Sequence, residues 1–231
     1  MLVNISQNKL TLKNNMKLKL TSLLVALGLI TNAAFAGNSA KIGYASDFFY
    51  RGEQKALESI QSAVDLEASL LGLDGKLHAC TNQSIDQGVD SYRFAAGLGT
   101  SFAEDLFSVY GGFNHFEDVA GEALSEIQVS ASVNVFANPT VSAFRNVDED
   151  LYTFEGSLSE SFDLSFASLD VRGSIGNTEI TTSNDRTYYS VGGGLTRQVG
   201  AGVDLSLSVD LIDADDIDRE FVFGTALAFL F

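Results

Sequence analysis

The chain has 231 residues, with 30 acidic and 14 basic side chains, a formal net charge of −16 and a mean hydropathy of +0.13. So acidic a chain lacks the basic face that nucleic acid requires. Its apolar residues (45%) and aromatics (10%) are too plentiful and too regularly spaced for a disordered polyelectrolyte, and a single cysteine, Cys80, excludes an internal disulfide.

Met16 begins a segment with two early lysines, Lys17 and Lys19, an apolar run over residues 23–30, and Ala34-Phe35-Ala36. Basic start, apolar middle and small-x-small end make a secretory signal peptide. The apolar run is too short to span a bilayer. Residues 1–15 read as an extension ahead of a start at Met16, so 1–36 are expected to be extension plus cleaved leader. Without a cysteine near the cleavage site, no lipid anchor is expected. Residues 37–231 are expected to form one domain. All 30 acids but only ten bases fall within it, which deepens the imbalance to −20.

From there a period of two recurs, the signature of strands with one apolar face. Residues 40–51 set Ile42, Tyr44, Phe48 and Tyr50 against Lys41, Gly43, Asp47 and Arg51, and 52–58 read as a polar loop. Residues 60–70 set Val64, Leu66, Ala68 and Leu70 against Gln61, Asp65, Glu67 and Ser69. Gly72 and Gly75 predict a tight turn. A short third strand over 76–81 leads to a polar loop, and a fourth over 92–102 sets Tyr92, Phe94, Leu98 and Phe102 against Arg93, Gly97, Gly99 and Ser101. Residues 107–113 form a fifth strand, followed by an acidic loop over 114–123. Residues 125–135 alternate most cleanly, Ile127, Val129, Ala131 and Val133 against Glu126, Gln128, Ser130 and Ser132.

Residues 140–145 make a short seventh strand. The eighth carries Tyr152, Phe154 and Leu158 against Thr153, Glu155 and Ser157. The ninth carries Leu169, Val171 and Ile175 against Asp170, Arg172 and Ser174. A polar loop over 177–186 precedes a tenth strand over 188–198. The eleventh alternates Val203, Leu205, Leu207, Val209 and Leu211 with Asp204, Ser206, Ser208 and Asp210. An acidic loop over 213–219 leads to the last strand. There Phe221, Phe223, Thr225, Leu227, Phe229 and Phe231 face one way, and Glu220, Val222, Gly224, Ala226 and Ala228 the other.

About twelve strands, joined alternately by short and longer polar connections, predict a transmembrane antiparallel up-and-down β-barrel with both termini at the short-turn end. Closure pairs every backbone group, which hydrocarbon demands. Tyr44, Tyr50, Tyr92, Phe102, Phe107, Tyr152, Tyr189, Phe221 and Phe231 are expected in the aromatic girdles of the outer face. The opposite face carries Lys41, Asp47, Arg51, Asp65, Glu67, Lys76, Arg93, Glu126, Glu155, Asp170, Arg172, Asp204, Asp210 and Glu220, nine acids and five bases. Burying so many charges dry is costly, so these are the candidate lumen-lining residues, either facing water or forming satisfied ladders. Twelve strands enclose a lumen between the filled eight-stranded type and the open large porins.

Two stretches carry a family resemblance. The final Phe231, with Phe229 and Leu227 at alternate positions before it, resembles the C-terminal assembly signal of bacterial outer-membrane barrels. Gly43-Tyr44-Ala45-Ser46-Asp47-Phe48-Phe49-Tyr50-Arg51-Gly52 resembles the opening of the TorF-type porin family of bacterial outer-membrane proteins. The third strand, Lys76-Leu77-His78-Ala79-Cys80, departs from the glycine- and aromatic-rich strand of that family. The resemblance implies a barrel in the outer membrane, with lipid and the barrel-assembly machinery as partners.

Sites of chemistry are scarce. The histidines are His78 and His115, and no Ser-His-carboxylate set for hydrolysis assembles from the pattern. The acidic run Asp213-Ala214-Asp215-Asp216-Ile217-Asp218 lacks the glycine and terminal glutamate of a calcium loop. Gly192-Gly193-Gly194 lies mid-strand, where small residues ease packing rather than hold phosphate. No catalytic residue, metal or cofactor is expected, and the chain is read as not an enzyme. The leading expectation is a narrow, weakly cation-preferring channel for small solutes. The alternative is a non-conducting structural or adhesion barrel, with an outer-membrane hydrolase behind both.

Overall fold

The computed structural model describes residues 38–231 apart from 71, 86–89, 120–122, 182 and 216. The extension, the start at Met16 and the leader ending at Ala36 lie outside the described residues. Twelve strands follow: β1 (Ser39–Tyr50), β2 (Glu53–Leu70), β3 (Leu73–Ser84), β4 (Ser91–Phe102), β5 (Phe107–Asp118), β6 (Ala123–Val133), β7 (Thr140–Asn146), β8 (Tyr152–Asp163), β9 (Ser168–Thr181), β10 (Asn184–Gly200), β11 (Val203–Ala214) and β12 (Ile217–Leu230). Each pairs antiparallel with its sequence neighbours, and β12 closes on β1 from Ser39↔Leu230 to Ala45↔Gly224. The expected up-and-down barrel is the observed fold.

The period-two pattern explains the closure. Ile127 and Val129 on β6, Val191 on β10, Leu207 and Val209 on β11, and Phe221 and Phe223 on β12 all stand exposed on the outer face. Hydrocarbon accepts such a surface and water does not. Of the nine aromatics expected on that face, eight are exposed there. Tyr50 is the exception and lies inside the barrel, as described below.

Several segments read as loops are strand. β2 begins at Glu53, β5 runs to Asp118, β9 and β10 together cover most of 177–186, and β3 extends from Leu73 to Ser84. Polarity along a strand marks where side chains meet water; it does not mark where the ladder ends. Once neighbours remain in register, backbone groups stay paired beyond the apolar band.

Large buried side chains concentrate at the end of the barrel opposite the termini. Phe116, Phe144 and Tyr188 are buried there, with the polar Asn114, Glu126, Asn146 and Thr153 beside them. Asn114, Glu126 and Asn146 are direct cross-strand neighbours on β5, β6 and β7. A barrel wall alone cannot bury these groups, since its inner face looks into open space. Something fills this end.

Candidate functional site

The filler is the tip of the first hairpin. β1 leaves β12 after Ala45, although β12 continues back to Ile217 against β11. β2 joins β3 only at Ser59, opposite Ser84. Residues 46–58 are therefore a two-stranded ribbon that pairs within itself, as Asp47↔Leu57, Phe48↔Ala56 and Tyr50↔Glu53, and touches the adjoining β3 side only at its root, where the Glu58 carbonyl accepts the Ile85 amide at 2.7 Å. A bulge between Phe48 and Phe49 bends it. Glu58, with φ at +37°, marks where β2 leaves the wall. Arg51 and Gly52, with φ of +51° and +74°, make the tight turn at the tip. A turn of this hand needs positive φ at both central residues. Glycine adopts it freely, while arginine does so at about 1–2 kcal/mol.

The tip crosses the interior and seats against the far wall. Arg51 grips Glu126 with both prongs of its guanidinium, the Nη2–Oε2 distance being 2.6 Å, and Nη1 also donates to Thr153 Oγ1 at 3.1 Å. Its Cζ lies 4.1 Å from the centroid of the Phe144 ring. The Tyr50 hydroxyl donates to Glu126 Oε2 at 3.1 Å, and its ring stacks on Phe116 with centroids 5.2 Å apart. Arg93, which donates to Asn114 at 3.1 Å, also lies over the Tyr50 ring, 5.7 Å from its centroid. Gly52 packs against Tyr188 and Ala214. Glu53 faces Lys55 at 2.6 Å and Arg186 at 3.7 Å. The ion pair is nearly dry: the Arg51 and Glu126 side chains are 12% and 3% exposed. A pair this buried holds because each charge is also satisfied by further partners.

The parity of β1 placed Tyr50 outside because it assumed that the strand stays in the wall to its end. The bend after Ala45 takes both strands of the hairpin inward together, so its last residues no longer obey the wall's inside-outside rule. Phe116, Phe144, Thr153, Tyr188 and Arg186 complete the seat, and none was singled out from sequence. One signal was present. Alternation in β1 runs on through Tyr50 to an Arg-Gly pair, giving a strand long enough to leave the wall before it turns.

Beside the ribbon, a cavity of about 390 Å³ remains against β1, β11 and β12. Lys41, Asp47, Phe49, Gln61, Arg172 and Asp210 are among its lining residues. Its β1–β12 wall is made of small side chains, Gly43, Ala45, Gly224 and Ala226. Arg172 and Asp210 pair through two contacts, at 2.9 and 2.5 Å, across β10. Gly192 stands between them in the ladder, where an added Cβ would strike the Asp210 carboxylate. That accounts for a glycine in the mid-strand triplet.

The other expected interior charges are distributed as follows. Lys41 pairs with Asp65 at 3.0 Å, which also meets His78 Nδ1 at 2.6 Å and Ser39 Oγ at 3.3 Å. Lys76 pairs with Glu67 at 3.0 Å. Glu155 accepts from the Tyr188 hydroxyl at 2.9 Å, and Asp47 accepts from Ser46 and Gln54. Asp170, Asp204 and Glu220 follow the parity of the inner face, and among the described residues no cation closes on them within ion-pair distance. At the chain's end Leu227, Phe229 and Phe231 are exposed, and the Phe231 amide donates to the Asn38 carbonyl at 3.2 Å.

Neither histidine completes a hydrolytic relay. At His78 the aspartate lies between serine and imidazole, so the serine does not meet the base. His115 Nδ1 lies 3.0 Å from Ser125 Oγ, but Glu117 stands 3.5 Å from Nε2, too long for a hydrogen bond that would orient the ring.

No protein-family model matches the chain, and no curated protein matches it. Solved structures do. The KdgM porin superposes with a TM-score of 0.57 at 11% identity, over 84% of this chain and 99% of its own. An outer membrane channel from Pseudomonas putida F1 gives a TM-score of 0.60 at 9% identity, over 87% and 97%. The NanC porin gives 0.55 at 10% identity, over 84% and 100%. At these identities the likeness is one of fold. The chain is a porin-like β-barrel, built on the architecture of outer-membrane channels.

Proposed function

We propose that this chain is an outer-membrane channel of narrow bore, exported by its leader and related to the TorF-type porins, that passes small solutes with a weak preference for cations. The observation that carries the reading is the cavity left beside the inward hairpin, against the small-residue wall of β1, β11 and β12. Charge supports the preference. Of the interior residues considered, nine are acids and five are bases, and Asp170, Asp204 and Glu220 are left without a cation partner among the described residues. Unpaired carboxylates along a confined path raise the local concentration of cations. The KdgM porin has also been solved in complex with a disordered oligogalacturonate. A polyacidic chain of that kind would be repelled by the present interior, so the solutes proposed here are small cations and small neutral molecules. Outer-membrane lipid around the apolar belt, and the barrel-assembly machinery reading Leu227, Phe229 and Phe231, are the proposed partners.

The experiment is single-channel recording of the purified barrel in planar bilayers, with the reversal potential measured across a salt gradient. The reading expects small unitary steps and a reversal potential of cation-selective sign. A flat baseline over many insertions, in the native chain and in one lacking residues 47–57, would leave the second reading, a non-conducting structural barrel. The hairpin tip crossing the interior favours that second reading.

A further inference from the structure

The inward hairpin leaves a place in the wall empty. Residues 217–223 of β12 pair with β11 on one side and, among the described residues, meet no strand on the other. At the point of departure the Ser46 hydroxyl takes the Phe223 amide at 3.0 Å, where a neighbouring strand's carbonyl would otherwise sit. An open strand edge seeks a partner. The segment that fits is in this chain. Continuing the register Ala45↔Gly224 along both strands sets Asp47 opposite Val222, Phe48 opposite Phe221 and Tyr50 opposite Arg219.

The side chains agree with that register. Phe48 and Tyr50 would then face outward beside Phe221, which stands exposed on the outer face, while Asp47 and Arg51 would face in. This is the alternation written in residues 40–51, and the inward position of the hairpin is what breaks it. An outward-patterned strand found inside the barrel, next to a vacant edge of matching register, has two seats.

We infer that the β1–β2 hairpin, residues 46–58, is a gate that moves between a plugged seat on Glu126 and a wall seat on the 217–223 edge of β12. The Arg51–Glu126 pair with the Tyr50 hydroxyl holds the plugged seat. Gly52 at the tip and the positive φ at Glu58 supply the turn and the hinge. In the wall seat the interior beside β5–β8 clears, and the cavity beside β1, β11 and β12 becomes part of a continuous bore. The inference rests on the channel reading for its consequence, but the movement itself is tested without it.

The test uses two cysteine pairs in the full chain with Cys80→Ser, each barrel first shown to be folded by heat-modifiable gel migration. Tyr50→Cys with Phe116→Cys reports the plugged seat, where the two rings stack with centroids 5.2 Å apart. Phe48→Cys with Phe221→Cys reports the wall seat. Both pairs are expected to cross-link on mild oxidation, and Arg51→Ala is expected to raise the yield of the second several-fold and lower that of the first. Cross-linking confined to the first pair, with and without Arg51→Ala, would overturn the inference. Conductance of the locked barrels separates the two ideas. The wall-seat lock should conduct more than the plugged lock. If the wall-seat disulfide forms and neither lock conducts, the hairpin moves and the channel reading fails.

Discussion

Arg51, in the turn between β1 and β2, and Glu126, on β6, are 75 residues apart in sequence and close a two-pronged ion pair inside the barrel. A pair on one strand or on adjacent strands would have stiffened the wall. This one ties the tip of the first hairpin to the sixth strand and so decides what the interior looks like. Its loss should therefore be felt by the hairpin more than by the barrel.

Removing one partner of a buried pair leaves the other charge desolvated, at about 3–5 kcal/mol, whereas replacing both by apolar groups of similar size is near neutral or better. Glu126→Leu should release residues 46–58, and Arg51→Met with Glu126→Leu should largely restore them. Hydrogen exchange is the measurement. The single change should lower protection in the hairpin while strands β8–β11 keep theirs. An equal loss around the whole barrel would show that the pair supports the wall instead.

Tyr110 lies flat along the inner wall, with its ring where side chains at Gly97 and Gly112 would stand. Gly97→Ala or Gly112→Ala forces the ring off its site, an overpacking of about 1–3 kcal/mol. Gly111→Ala is the control, since the nearest atom to its new Cβ is the Gln128 carbonyl oxygen at 4.0 Å. Urea titration of the folded barrel in vesicles should show both inner substitutions less stable and the control close to the parent.

The outer belt predicts a depth dependence. Val129 is 60% exposed midway along β6, and Phe136 is 78% exposed in the β6–β7 turn. A lipid-facing arginine costs about 2–4 kcal/mol at the bilayer midplane and about 0–1 near the interface. Val129→Arg should depress the folded fraction in vesicles far more than Phe136→Arg. Equal penalties would place the apolar band elsewhere on the barrel.

If the interior conducts, its selectivity follows the unpaired acids. Asp204→Asn with Glu220→Gln should shift the reversal potential toward zero. Asp210→Asn should shift it further per charge removed, because it also frees Arg172, now held by two contacts. Reversal potentials in the same salt gradient compare the three barrels directly, and an unchanged value in the first would remove these carboxylates from the path.

Most of the wall is legible in the sequence alone. Val129 between Gln128 and Ser130, or Leu207 between Ser206 and Ser208, states its own face, because a strand turns alternate residues to opposite sides and only one side meets lipid. The even strand number and the alternation of short and long connections followed from the same rule. Strand ends were less legible, since the polar residues of 114–118 and 184–187 continue the ladder in water as readily as they would form a loop. The glycine at 192 announced a need for space, but not that Arg172 and Asp210 meet across it.

The period of two thus determined a closed sheet with an apolar outside and a charged inside, since both properties are local to each strand. Where the first hairpin goes was decided only by the folded molecule. Its residues fit the wall by their alternation and fit the interior by Tyr50, Arg51 and the far-side Glu126. No stretch of sequence records which partner 75 positions away a side chain will meet.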